Sequence, residues 1–274
     1  PCGICESCRL MDIENNSFAH PDFYLLTAEE AGKDIKIEQV KEMAKQAAFA
    51  PVLSEHKVCI IDDAGQMTAE AANSLLKLLE EPPPGWLFIL ITQQAERLLP
   101  TVLSRVVRLR FDAPDTSAVR QILKAKGITQ NAQVLAALAG GSPGRALSYN
   151  QADIFAIRRE ALDLLKKLPL QNPFGYIAAL GWGEKYDRAA ALLLTEQFIY
   201  LLRDVLLVQS GAGGQVYNTD IMAGLDGIAA DWPLHTARQG VNAAQEAWQN
   251  INKNVSAKNV LEALVLKLDL LRKE

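Results

Sequence analysis

The chain has 274 residues, 49% hydrophobic and 22% charged, which is the composition of an ordinary globular protein and excludes collagen-like, disordered and disulfide-dense classes. Its 28 Lys and Arg against 32 Asp and Glu give a net charge of −4, which argues against a protein that neutralises a long stretch of nucleic acid by itself. No apolar run approaches the length of about 18 residues that a membrane-spanning helix needs.

The segment from residue 1 to residue 112 alternates strand and helix signals. Helical periodicity is present in Ile37–Phe49 and in Thr68–Glu81, where Thr68 suits the N-cap and Pro82 ends the helix. Short apolar or alternating runs predict four strands, at Phe23–Leu26, Val58–Ile61, Leu87–Ile91 and Val106–Phe111. Short apolar strands between helices predict a parallel sheet covered on both faces, and hence an α/β domain over residues 1–112.

The run Ala113-Pro114-Asp115 indicates a boundary, because the strand signals stop there. Residues 113–150 predict a small helical domain with helices at Asp115–Lys126, at Asn131–Ala139 and after Ser142. Every segment of residues 151–274 has helical periodicity, which predicts a third domain of helix-bundle type. Its predicted helices are Ile154–Leu168, Pro173–Leu180, Asp187–Gln209, Asn218–Ala229, Pro233–Asn252 and Val255–Leu271.

Three cysteines, Cys2, Cys5 and Cys8, form a C-x-x-C-x-x-C run. Thiolates at this spacing can converge on one ion, and zinc takes four tetrahedral ligands. The fourth ligand lies upstream of Pro1, or is His20, or is missing. An iron–sulfur cluster would want a fourth cysteine soon after Cys8, and three free surface thiols are the remaining alternative. A structural metal is favoured over a catalytic one, because no general base lies nearby in sequence.

A strand ending in two acids, Val58–Ile61 followed by Asp62 and Asp63, has the form of a Walker B element. The first acid of such an element holds Mg²⁺, and the second, usually Glu, polarises the attacking water. Thr92 follows the next predicted strand, at the edge where open α/β sheets bind ligands. The alternative is that both strands merely leave the core into polar turns.

Two arginines follow short motifs. Arg105 comes after Ser104, and an arginine held on a short rigid element can stabilise charge on a phosphoryl group in a neighbouring subunit. In the run from Ser142 to Arg145, Ser at the N-cap and Pro143 at the first helical position start a helix whose N–H groups, with Arg145, can meet phosphate. A solvated arginine and a plain helix start are the corresponding alternatives.

A phosphate loop of the form G-x-x-x-x-G-K-[ST] is absent from the 274 residues. Without it no backbone nest cradles nucleotide phosphates, so this chain by itself is not expected to hydrolyse ATP. The three histidines are scattered, and they suggest no Ser-His-Asp grouping.

The order of these motifs is more specific than any one of them. The cysteine run is followed by His20-Pro21-Asp22, then by IIDDAGQMTAEAANSLLKLLEEPPPGWLFILIT, by LSRVVRLRF and by GGSPGRAL. In this order the chain closely resembles the clamp-loader subunits of bacterial DNA polymerase III, and among them most of all the delta-prime branch. The likeness covers residues 1 to about 150, whereas the rest matches by length and helical class.

The resemblance implies a partial AAA+ α/β domain with a zinc module, a small helical lid over 113–150 and a helical collar over 151–274 that joins subunits into a ring. It implies that the first strand and the phosphate loop precede Pro1. It also implies that an upstream cysteine completes a zinc site with Cys2, Cys5 and Cys8, so that Cys59 is expected to be a buried core thiol.

The resemblance further implies a stator subunit, one that does not turn over ATP. Ser104 and Arg105 match the motif that supplies an arginine finger to ATP on the adjacent motor subunit, although Val106 replaces the usual cysteine. ATP is therefore expected on a neighbour and not on this chain.

The chain's own nucleotide site is expected to be degenerate. Asp62 and Asp63 match the Walker B place, with Asp63 one methylene shorter than the usual Glu. Thr92 falls at the sensor 1 place, and Arg145 lies one position from the sensor 2 place.

The partners implied are the gamma/tau and delta subunits and, through the complex, the sliding clamp and primed DNA, in the bacterial cytoplasm and without a membrane. Ile199, Leu202 and Leu206 are candidates for contacts between collars, although packing within the chain's own core explains them equally well. No catalysis is expected from the chain alone, although the holoenzyme is a DNA polymerase. Two alternatives stay open: an ATP-hydrolysing gamma/tau-type motor whose phosphate loop lies outside this sequence, and a zinc-containing nucleic-acid adaptor, which the net charge disfavours.

Overall fold

The computed structural model describes residues 2–12, 17–30, 33–181 and 185–273. The chain divides into two units, Pro1–Phe111 and Asp112–Glu274. The finer division of the second unit at residue 150 stays a prediction.

The first unit is built around a three-stranded parallel sheet of consecutive strands in the order β3-β4-β5. Leu26 pairs with Ile61, and Ile61 pairs with Leu90, so the carboxyl ends of all three strands lie at one edge. Its elements are α1 (Glu6–Leu10), β1 (Met11–Asp12), β2 (Ser17–Phe18), β3 (Phe23–Leu26), α2 (Ile37–Gln46), β4 (Lys57–Ile61), α3 (Ala69–Glu80), β5 (Trp86–Leu90) and α4 (Pro100–Leu103).

Both long helices of this unit cover the same face of the sheet. Val40 and Met43 of α2 and Leu75 of α3 are fully buried against Cys59 and Ile61 of β4. The thiol of Cys59 is therefore a core group, as expected. The prediction of a sheet covered on both faces is wrong for the described residues, because Leu25, Leu87 and Ile89 on the other face stay 38–50% exposed.

The predicted strand at Val106–Phe111 is also wrong, because this segment has no regular secondary structure. Its alternating apolar side chains Val107, Leu109 and Phe111 are 78–91% exposed. Alternation alone does not make a strand, since a strand needs a neighbour whose backbone completes the ladder of hydrogen bonds. Within the described residues β5 pairs only with β4, so the backbone N–H and C=O groups on its outer edge have no partner strand.

The described part of the second unit consists of helices and short helical turns. Side-chain caps begin several of them: Asp115 accepts from the Ala118 N–H (2.7 Å), and Asp187 accepts from the Ala190 N–H (2.8 Å). The helices are α5 (Thr116–Ala125), α6 (Ala132–Leu138), α7 (Pro143–Gln151), α8 (Ile154–Lys167), α9 (Pro173–Leu180), α10 (Arg188–Gln209), α11 (Met222–Asp231), α12 (Leu234–Asn252) and α13 (Ala257–Lys273).

The helix predicted from Asn218 begins four residues later, at Met222. The reason is a buried carboxylate: Asp204 of α10 accepts both from the backbone N–H of Asn218 (2.9 Å) and from its side-chain amide (2.7 Å). Arg158 of α8 also donates to the Asn218 Oδ1 (2.8 Å). These contacts fix the chain before the helix in a conformation that the helical periodicity of the sequence does not reveal.

One continuous hydrophobic core runs through the second unit from α5 to α13. The long helix α10 lies at its centre, with Phe198, Leu201 and Leu202 fully buried. Leu202 was a candidate for contact with another subunit, and this is wrong because the residue belongs to the chain's own core. Ile199 and Leu206 are only partly buried.

No helix among the described residues combines the length and the apolar character needed to cross a membrane. The parallel sheet with its helices, followed by a helical unit, confirms the predicted combination of an α/β domain with a helical C-terminal part.

Candidate functional sites

The three N-terminal cysteines converge at one point of the first unit. Their sulfur atoms all lie within 4.8 Å of one another, and those of Cys2 and Cys8 are 4.0 Å apart. The turn that achieves this passes through Gly3, whose φ of +75° favours glycine, and then enters α1, which carries Cys8. The Cys5 N–H donates to the Cys2 sulfur (3.3 Å).

This donor set fits a zinc ion. Zn–S bonds of about 2.3 Å in a tetrahedron place sulfur atoms about 3.8 Å apart, close to the separation observed for Cys2 and Cys8. Hydrogen bonds from the backbone N–H groups of Ile4 and Cys5 lower the pKa of Cys2 to about 7, which favours the thiolate that binds metal. Cys2, Cys5 and Cys8 can therefore supply three of the four ligands.

His20 does not join this group. Its ring is buried, and its Nδ1 accepts a hydrogen bond from the backbone N–H of Asp22 (3.0 Å). Cys59 is not part of the group either, because its side chain is fully buried in the core of the sheet. Among the described residues, neither His20 nor Cys59 therefore adds a fourth donor to the three cysteines.

Asp22, which the sequence did not single out as a site residue, anchors a loop. Its carboxylate is buried and accepts from the backbone N–H groups of Val52 (2.7 Å), Leu53 (2.7 Å) and Ser54 (2.8 Å). Burial opposes ionisation, but these three donors outweigh it and lower the pKa of Asp22. The loop between α2 and β4 is thereby fastened to the start of β3.

Asp62 and Asp63 lie at the carboxyl end of β4, as predicted. The Asp62 N–H donates to the carbonyl of Leu26 (2.9 Å), and the Asp63 N–H donates to the Asp62 Oδ1 (3.0 Å). Asp63 has a φ of +50°, a left-handed conformation that Asp tolerates better than most residues. Both carboxylates are exposed, so they are free to meet a cation or to stay solvated.

Thr92 lies beside the turn that follows the two aspartates. Its hydroxyl accepts from the Gln94 N–H (3.2 Å), and a Cβ added at Gly65 would lie 3.0 Å from its Oγ1. The Ala64 N–H donates to the Ile91 carbonyl (2.7 Å) and joins the two strand ends. The structure thus brings Thr92 and the acidic pair to the same edge of the sheet.

Arg105 lies just past α4, whose last turn it extends. Its Nε donates to Glu80 Oε1 (2.8 Å), and its Nη2 forms an ion pair with the same carboxylate. Its Nη1 donates to the carbonyl of Thr101 (2.8 Å) and to the Ser104 Oγ (3.2 Å). Ser104 thus supports Arg105 directly, and Glu80 is a partner that the sequence analysis missed.

Arg145 belongs to the second unit and is engaged there. The Ser142 Oγ caps its helix by accepting from the Arg145 N–H (3.2 Å), as predicted. The guanidinium forms an ion pair with Glu196 of α10 and donates to the Tyr200 hydroxyl (2.9 Å). Burial disfavours its charge, but Glu196 prevails and raises the pKa of Arg145 above its usual value.

The sequence of the chain is similar to those of known DNA polymerase III subunits. A family model described as DNA polymerase III, delta subunit, matches residues 1–115. DNA polymerase III subunit delta' of Bacillus subtilis (strain 168) is 28% identical over 271 residues, covering 98% of this chain and 80% of the relative. The subunit delta' of Escherichia coli (strain K12) is 32% identical over 246 residues, covering 88% of this chain and 69% of the relative.

A subunit gamma/tau is also similar. That of Mycobacterium tuberculosis (strain ATCC 25618 / H37Rv) is 30% identical over 239 residues, covering 77% of this chain but 40% of the relative. The delta' relatives are matched over much more of their own length. The chain therefore belongs to the delta-prime family of DNA polymerase III subunits.

Proposed function

We propose that this chain is a non-hydrolysing stator subunit of the bacterial sliding-clamp loader. It assembles with gamma/tau and delta subunits and supplies Arg105 as an arginine finger to ATP bound on a neighbour. Through that complex it contributes to loading the sliding clamp onto primed DNA.

The placement of Arg105 carries this proposal. Its side chain is 31% exposed and is held at the end of α4 through all three guanidinium nitrogens. An arginine fixed at the surface of a rigid element suits the stabilisation of charge on a phosphoryl group outside its own chain. The Ser104 hydroxyl accepts a hydrogen bond from Nη1, and this contact explains why a serine precedes the arginine.

Two residues at the chain's own degenerate nucleotide site support a role without ATP hydrolysis. Asp63 is one methylene shorter than the Glu that usually polarises the attacking water. Arg145 is neutralised by Glu196 in the second unit, so it already has an anionic partner.

The cysteine site is proposed to hold a structural zinc ion through Cys2, Cys5 and Cys8, with a fourth ligand outside the described residues. The ion would cross-link a turn that is weakly stabilised by α1 alone, because this helix has only five residues and no buried side chain.

The sheet supports a related proposal, that a further strand of the protein pairs with the outer edge of β5. That edge has no partner strand among the described residues, and one face of the sheet is exposed.

A gamma/tau-type motor is the second candidate. Asp62 and Thr92 favour it, because the structure brings both to the carboxyl edge of the sheet, where a nucleotide with Mg²⁺ would bind. The similarity to gamma/tau subunits favours it as well.

Titration of the full-length gene product alone with ATP and Mg²⁺ separates the two candidates. The stator predicts no turnover and no tight binding, whereas micromolar binding with turnover identifies a motor. In the reconstituted clamp loader, Arg105→Ala is expected to leave assembly intact and to slow hydrolysis at the neighbouring site by about 10³-fold or more. Undiminished hydrolysis at that site refutes the arginine finger.

A further inference from the structure

Glu80 is the charged partner of Arg105, and nothing in the motif around Arg105 points to it. One carboxylate oxygen of Glu80 accepts from Nε (2.8 Å) and from Nη2 of the guanidinium. The two residues are 25 positions apart, since Glu80 ends α3 and Arg105 lies just past α4. The contact therefore depends on the fold and not on sequence adjacency.

Local helix stability does not explain a glutamate at this position. Glu80 is the last residue of α3, where the helix dipole presents its negative end and disfavours a carboxylate. An exposed residue at the end of a helix is otherwise free to be basic or neutral. The interaction of the Glu80 carboxylate with the helix dipole is unfavourable, and the ion pair with Arg105 offsets it.

The element that carries Glu80 is well fixed. The Thr68 Oγ1 caps the start of α3 by accepting from the Ala71 N–H (3.2 Å), and Leu75 is completely buried in the core of the first unit. Helix α3 also packs against α4, which leads into Arg105. Both ends of the Glu80–Arg105 contact therefore belong to helices that pack against each other, or follow directly from one.

The partners of the guanidinium differ along its edges. Glu80 holds the side edge formed by Nε and Nη2, with a full negative charge. The acceptors of the Nη1 group among the described residues are both neutral, the Thr101 carbonyl and the Ser104 hydroxyl. Hydrogen bonds to neutral acceptors are weaker than those to a carboxylate, so an incoming phosphate displaces them at the Nη1 end more readily than it displaces Glu80.

We propose that Glu80 is the positioning residue of Arg105: it holds the Nε edge of the guanidinium so that the Nη1 end is presented to the phosphate on the neighbouring subunit. This inference rests on the proposed function, since it requires Arg105 to be an arginine finger. Glu80 itself touches neither nucleotide nor reacting atoms. Without it the arginine side chain recovers rotamer freedom that must be lost again on each engagement.

The expected effect is modest because the pair is partly exposed. The side chains of Arg105 and Glu80 are 31% and 48% exposed, and ion pairs of that exposure contribute little in water. We expect Glu80→Ala to slow hydrolysis at the neighbouring site by about 2- to 5-fold. The KM for ATP should not change, because the nucleotide is bound by the neighbour.

The test is a double-mutant cycle in the reconstituted clamp loader that contains the full-length protein. The rate constant and KM for ATP hydrolysis are measured for wild type, E80A, R105A and the double variant. Glu81→Ala is the matched control, because Glu81 is the adjacent exposed glutamate and makes no ion pair among the described residues. Glu80→Gln keeps the side-chain volume, and it replaces E80A if that variant does not assemble.

The proposal expects E80A to slow the reaction in the wild-type background and to have no further effect in R105A. Equal slowing in both backgrounds overturns it, because Glu80 would then act through the fold and not through Arg105. An unchanged or faster rate for E80A also overturns it. If R105A itself leaves the rate of ATP hydrolysis unchanged, the proposed function fails. If R105A lowers that rate and E80A does not, only the role of Glu80 is refuted.

Discussion

Glu196 of the long helix α10 joins α7 to α10 by accepting hydrogen bonds from Arg145 and from the Tyr149 hydroxyl. The Arg145 guanidinium also lies over the Tyr149 ring, 5.3 Å from its centroid, and donates to Tyr200. The glutamate side chain is only 14% exposed, and these hydrogen bonds offset the cost of burying it. Arg145, whose place beside a degenerate nucleotide site stays a prediction, is thus part of a junction between two helices.

We therefore predict that Arg145→Ala lowers stability without changing nucleotide binding. The substitution removes the charged partner of Glu196, which is largely buried, and leaves it with Tyr149. Such a loss typically lowers the free energy of unfolding by about 1–3 kcal/mol. We expect a value near the lower end, because the Arg145 side chain is 39% exposed. Urea unfolding at neutral pH measures the loss. Arg159→Ala, at an exposed position of α8, is the control and should be neutral.

A change in ATP affinity of the assembled complex, together with unaltered stability of R145A, would contradict this assignment. It would return Arg145 to the sensor 2 place that the sequence resemblance gives it. Glu196→Gln should reproduce the loss of stability, since it removes the same charge pair from the other side.

The carboxylate of Asp22 predicts a pH dependence of stability. Its pKa is lowered in the folded protein, so its contribution is fully present above the unfolded value of about 3.9 and is lost as the pH falls through the folded pKa. Asp22→Asn should be less stable than wild type at pH 7, by about 1.5–3 kcal/mol for hydrogen bonds to a charged group. Well below pH 4 the gap between the two proteins should shrink.

Denaturant unfolding of both proteins between pH 7 and pH 3 checks this prediction, with the exposed Asp34→Asn as the control. A difference between wild type and D22N that stays constant across that range would show that the charge of Asp22 does not hold the loop. Limited proteolysis at residues 51–56 should also be faster in D22N, because the three anchored N–H groups belong to this segment.

The sequence predicted the elements whose partners are local. The amphipathic helix α3 and its cap Thr68 follow from side chains within one or two turns, and β4 with its two terminal acids follows from an apolar run and its exit. The convergence of Cys2, Cys5 and Cys8 is also local, since seven residues contain it.

Features that depend on distant partners escaped the sequence analysis. The ladder that Val106–Phe111 requires is not formed by any described strand, so its alternation gave a wrong prediction. The Glu80–Arg105 and Arg145–Glu196 pairs span 25 and 51 positions, and no single-sequence pattern matches a charge to its partner at such a separation. A glutamate at the end of a helix was the one available signal for Glu80.

The cysteine site predicts one zinc ion per chain in the full-length protein. Cys5→Ser should lose the ion and lower the melting temperature, because it removes one of three convergent ligands. Cys59→Ala should keep the metal, since the Cys59 thiol is buried in the sheet core. Metal content measured by mass spectrometry on purified protein decides the matter, and a C5S protein with undiminished zinc would refute the ligand assignment.

The turn before α7 gives the sharpest test of backbone geometry. Gly141 has a φ of +87°, and a Cβ at that position would lie 2.7 Å from both the Ala113 Cβ and the Pro114 carbonyl oxygen. Gly141→Ala therefore combines a strained backbone with a steric clash against backbone, and we expect it to cost about 2 kcal/mol or more. Gly144, three residues later in the first turn of α7, has open space instead, because a Cβ added there would meet nothing within 4 Å.

Gly144→Ala is consequently the matched variant, with an expected change in stability of the opposite sign. It adds no clash and reduces the backbone freedom of the unfolded chain, so it should stabilise the protein by up to about 1 kcal/mol. Thermal and urea unfolding of the two variants measure the contrast. If both variants were equally destabilising, the left-handed turn at Gly141 would not be the reason for that glycine, and packing around the helix start would have to account for both.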